Sequence, residues 1–92
     1  MSTLQTPPNG RLDRIKIGEK SLTIQTEFFE RPSWKLEIKI YVDGALRKLE
    51  NVPLDAVAEA DLQKEIDRHH EQTTRSIVGK LRVQQESKGE KG

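Results

Sequence analysis

The chain has 92 residues, of which 33% are apolar and 34% charged, with a formal net charge of +1. That is room for one small domain, with one thin core between two layers. With no cysteine, disulfides and cysteine-ligated zinc or iron–sulfur centres are excluded.

Residues 1–10 read as a disordered tail, carrying Pro7, Pro8 and the pair Asn9-Gly10 among few apolar groups. Leu12 to Ile17 alternates apolar and polar residues and predicts a first strand. Gly18-Glu19-Lys20 reads as a turn. Ser21 to Phe29 predicts a second strand, with Leu22, Ile24, Thr26 and Phe28 on one face. Pro32 ends it, because proline donates no ladder hydrogen bond.

The clearest pattern follows. From Trp34 to Val42 every second residue is apolar, and Asp43-Gly44 comes next. Trp34, Leu36, Ile38, Ile40 and Val42 then share a buried face. Lys35, Glu37, Lys39 and Tyr41 share the other. Asp-Gly supplies the positive φ angles of a tight hairpin. A short fourth strand over Ala45–Leu49 follows. A two-residue loop pairs Val42 with Ala45 and turns Ala45, Arg47 and Leu49 to the core. A three-residue loop would send Lys48 inward. The first is preferred because it buries Leu49.

Pro53 and Asp55 announce a helix, with Asp55 as N-cap. Ala58, Leu62, Ile66, His69, Thr73, Ile77 and Leu81 form one stripe from about Ala56 to about Val83. The stripe turns His69 to the sheet and leaves His70 in solvent. Such a helix is about 42 Å long, longer than a nine-residue strand of about 30 Å. It overhangs the sheet, or Gly79 interrupts it and leaves Lys80–Val83 as a tail or fifth strand. Residues 85–92 read as a second disordered tail. The expected fold is α+β: an antiparallel meander of three to four strands, with one long C-terminal helix packed on one face of a single domain over 11–84. Its core is Ile15, Ile17, Leu22, Ile24, Phe28, Trp34, Leu36, Ile38, Ile40, Leu62, Ile66 and Ile77.

Chemistry is sparse. His69-His70 with Asp67 and Glu71 has metal-ligand residue types, but adjacent helical residues point about 100° apart. With no third histidine, no metal or other cofactor is expected. No histidine stands in a serine or threonine nucleophile motif, and no glycine-rich phosphate loop exists. The chain reads as non-catalytic.

The charge is uneven: nine cations and six carboxylates from Arg11 to Lys48, three cations and seven carboxylates from Glu50 to Arg75. A mildly basic sheet faces an acidic helix. The outer sheet face brings Phe29, Lys35, Lys39 and Tyr41 together as a contact surface for a partner. Lysines beside aromatics on an open sheet suit weak single-stranded nucleic-acid binding. Glu27 and Glu37 intrude on that face, so the first expectation is a small protein-interaction module: an adaptor, a subunit or a homodimer. Met1–Pro8 has no secretory pattern, and no apolar run nears the ~20 residues that span a bilayer. A cytoplasmic protein without membrane contact is expected.

Overall fold

The computed structural model describes residues 8–91, with side chains described through Gln84. Four strands form one antiparallel sheet in the order β1-β2-β3-β4: β1 Arg11–Ile17, β2 Lys20–Phe29, β3 Lys35–Val42 and β4 Ala45–Pro53. A 3-10 turn over Glu59–Asp61 leads into α1, Leu62–Lys91, which lies across one face. The fold is the expected α+β meander with four strands. The backbone of α1 continues through 85–91, the stretch that the sequence places outside the folded unit.

Both predicted turns close as two-residue loops. Ile17 pairs with Lys20 around Gly18, at φ 62°. Val42 pairs with Ala45 around Asp43 and Gly44, at φ 52° and 85°. Asp43 also ties the two hairpins together. Its carboxylate accepts from the Ser21 amide at 2.9 Å, and its own amide donates to the Ser21 carbonyl at 2.8 Å.

The core has two parts. At the start of α1, Leu36, Leu54, Leu62 and Ile66 are buried, with Phe28, Trp34, Val52 and Val57 against them. Trp34 precedes β3 and leans on Phe28, with ring centroids 6.3 Å apart. Further along, Ile17, Leu22, Ile24, Ile38 and Ile40 are buried under Ile77, Val78 and Leu81. Leu54 is a core residue that the strand pattern omits. Its amide donates to the Trp34 carbonyl at 2.9 Å, which carries it under the helix at 1% exposure.

Three sequence expectations need correction. The first is the fourth strand, which runs to Pro53 and contains a bulge. Ala45 opposes Val42 and Leu46 opposes Tyr41, but Lys48 opposes Ile40 and Leu49 opposes Lys39. The extra residue reverses the faces beyond it. Leu49 therefore stands outside at 48% exposure, and Lys48 and Glu50 point to the helix side. The physical reason is the placement of α1, whose polar bonds to the sheet go to β1 and β2. Beside β4 a shallow groove of about 200 Å³ remains between Ile40, Lys48, Glu50, Thr73, Ile77 and Lys80. A leucine there would gain little burial. Lys48 and Glu50 stay hydrated and pair with each other at 3.2 Å.

The second correction is the helix start. The 3-10 turn begins after Ala58 with no side-chain cap, so Asp55 does not cap the helix. Gly79 interrupts nothing, and Lys80–Val83 is helical. The third correction concerns the histidines. His70 is buried at 0% exposure, and the His69 side chain is 24% exposed.

Candidate functional site

Two places on the molecule hold polar chemistry in defined geometry. One is the seam between α1 and the first two strands. The inner face of β1 carries Arg11 and Asp13 ahead of Ile15 and Ile17. The inner face of β2 carries Thr26 between Ile24 and Phe28. These polar groups lie under the helix and need partners there.

The helix supplies them at every turn. Gln63 accepts from the Asn9 amide at 2.7 Å and donates to the Asn9 carbonyl at 3.2 Å. Asp67 accepts from Arg11 at 2.9 Å. His70 bonds Asp13 through Nε2 and Thr26 through Nδ1, each at 2.7 Å. Residues 9, 11 and 13 thus meet 63, 67 and 70. Alternate residues on a strand rise about 6.6 Å, close to the 5.4 Å of a helical turn, so the two ladders stay in step.

A carboxylate only accepts, so Nε2 of His70 donates to Asp13. In the neutral ring Nδ1 then accepts from the Thr26 hydroxyl. Acid, imidazole and hydroxyl stand in the order used by hydrolytic triads. Thr26, however, is 1% exposed, so its hydroxyl meets no substrate. The arrangement acts as a buried clasp.

Ion pairs surround the clasp. Hydrogen bonding to Asp67 is the main cause that raises the Arg11 guanidinium above its ordinary value, with Asp13 and Glu71 adding charge. One turn away, Arg68 bonds Glu65 at 2.8 Å and holds its carboxyl below the ordinary glutamate value. His69 rests beside this pair, 3.6 Å from Glu65. Among the described residues no three ligand-type side chains gather as a metal site.

The second place is the outer sheet face. The structure does bring the four predicted contact residues onto it, but engages three of them with neighbours. Lys35 lies directly across from Phe29, with its Nζ 5.7 Å from the ring centroid, a cation–π contact. Lys39 stands 3.5 Å from Glu37 and 3.9 Å from Glu27. Tyr41 lies between Thr23 and Leu46.

The periodicity missed part of the apolar set on this face. Leu12, Leu46 and Leu49 are exposed at 55%, 52% and 48%. The strand register sets Arg14, Thr23, Tyr41 and Leu46 in one row, and Leu12, Gln25, Lys39 and Leu49 in the next. Leu12 was legible as an outward residue of the first strand. Leu49 was not, because the bulge that turns it outward leaves no periodic mark.

Compared with protein-family models, curated proteins and solved structures, this chain matches none. No described helix is long and apolar enough to cross a membrane.

Proposed function

We propose that this chain is a non-catalytic protein-interaction module that binds through the sheet face opposite α1. One observation carries the reading. Leu46 and Leu49, each about half exposed, adjoin Tyr41 on a face that no element of the described chain covers, and Leu12 stands exposed at the β1 edge of the same face. Apolar groups clustered on an open face are a mark of association surfaces, whereas scattered ones are not.

The same face is where single-stranded nucleic acid would bind through Phe29, Lys35, Lys39 and Tyr41. The geometry favours it less. Lys35 sits over Phe29 and Lys39 is drawn to two carboxylates, which leaves Tyr41 as the one aromatic surface beside leucines that cannot stack a base.

The test compares the native chain with Leu46→Asp/Leu49→Asp and with a helix-surface control, Lys64→Glu. Circular dichroism establishes that each folds. Light scattering and affinity capture from a native lysate then follow association. Loss of self-association or of a captured protein in the double variant alone supports the reading. Equal behaviour of all three chains removes this face as the binding surface.

A further inference from the structure

The charge of the open face selects its partner, and the two carboxylates there do not balance the cations. Along the strands the face carries Arg14, Lys16, Lys35 and Lys39 against Glu27 and Glu37. Glu27 and Glu37 both turn to Lys39, and Lys35 lies over Phe29. Arg14 and Lys16 are exposed, and among the described residues neither has a carboxylate within ion-pair distance. They also stand on β1, an edge strand.

Tyr41, Leu46 and Leu49 stand toward the opposite edge, on β3 and β4, while Leu12 adjoins Arg14 on β1. In the row Arg14–Thr23–Tyr41–Leu46 the chemistry runs from a free guanidinium on β1 to an aromatic ring on β3 and a leucine on β4. Strands are about 4.8 Å apart, so the backbone positions of Arg14 and Tyr41 are about 10 Å apart. Leu49 lies in the neighbouring row and extends the apolar end.

We infer that the occupant of this face is an acidic protein segment bearing leucine or aromatic side chains, whose carboxylates meet Arg14 and Lys16 while its apolar groups cover Tyr41, Leu46 and Leu49. This rests on the reading of the open face as an interaction surface. Charge complementarity specifies the partner and its orientation, and apolar contact supplies most of the burial. Aliphatic side chains at the apolar end favour a protein over a nucleic acid, since both are anionic but only the former packs against leucine.

The experiment is an NMR titration of the labelled full chain with three probes: a peptide alternating glutamate and leucine, the same peptide with lysine for glutamate, and oligothymidylate. The glutamate peptide is expected to shift the amides of Arg14, Tyr41, Leu46 and Leu49. Its affinity is expected to fall about tenfold in Arg14→Glu/Lys16→Glu, the effect of two rim charge contacts. The lysine peptide is expected to prefer that variant.

If the lysine peptide binds the native chain as well as the glutamate peptide does, the acidic assignment fails. The interaction reading then still stands, provided that Leu46→Ser/Leu49→Ser abolishes both. Stronger binding of oligothymidylate at the same amides overturns the protein assignment. Absence of any shift on this face with either peptide overturns the inference, and the capture comparison with Leu46→Asp/Leu49→Asp then judges the interaction reading by itself.

Discussion

His70 holds the helix to both of its neighbouring strands with one ring. Replacing it with alanine removes a buried side chain and leaves the Thr26 hydroxyl sealed without a partner. His70→Ala is expected to cost about 2–5 kcal/mol, combining cavity and unsatisfied-group effects. His69→Ala touches only the rim and is expected to stay within about 0.5 kcal/mol of the native chain. Urea midpoints of the two variants check the assignment, and equal losses would contradict it. Glu65 offers a residue-scale pH prediction. Its hydrogen bond to Arg68 keeps the folded carboxyl below the ordinary value of 4.5. A depressed carboxyl stabilises the fold above the unfolded value, and that contribution disappears as pH falls through the folded value. In Arg68→Ala the Glu65 midpoint is expected to move upward, as read by carboxyl-carbon NMR titration. An unmoved midpoint would show that the pair is not formed in solution.

At the scale of elements, β4 shows how a helix decides the register of a strand it barely covers. The bulge between Ala45 and Lys48 gives Leu49 to the open face and Lys48 and Glu50 to the open groove. Leu49→Ala is therefore expected to change stability by no more than about 0.5 kcal/mol. Ile38→Ala, on a residue that is 1% exposed, is expected to cost about 2–5 kcal/mol. Comparable losses at both positions, measured by thermal and urea denaturation, would restore the unbulged register. Glycine in α1 makes a second element-scale case. A Cβ built on Gly79 meets no atom within 4 Å. Gly79→Ala is expected to raise stability by about 0.5–1 kcal/mol, because alanine loses less backbone entropy in a helix. A lowered melting temperature would show that this position is not helical.

For the whole molecule, one face of the sheet depends on α1. Leu62, Ile66 and His70 are buried there, and α1 covers most of the inner faces of β2 and β3, with Leu54 and Val57 packed beside it at one end. A chain ending before Leu62 is expected to lose cooperative folding, since a four-stranded sheet without its covering layer exposes its core to water. A dispersed amide spectrum with a sigmoidal melt from that truncation would disprove the dependence. The other face needs no cover to fold. Its leucines are exposed, so variants at Leu46 and Leu49 are expected to keep the fold and to test the proposed association alone.

Local pattern determined most of the architecture. Period-two alternation marked three strands, Asp43-Gly44 marked a hairpin through its positive φ angles, and Leu62 and Ile66 marked the helix face. These features repeat within a few residues, so they are legible in one dimension. The outer sheet face was half legible. Phe29, Lys35, Lys39 and Tyr41 share a side by alternation, but the pairing of Lys35 with Phe29, the turn of Lys39 to Glu27 and the arrival of Leu49 depend on cross-strand register. The buried histidine was not legible. Positions 69 and 70 are about 100° apart on the helix, either one fits at an edge of a broad apolar stripe after Leu62 and Ile66, and the spacing favoured the wrong one. Asp13 and Thr26, on the inner faces of two strands, separate them by hydrogen bonding to His70, and only the packed tertiary structure brings those three residues within reach.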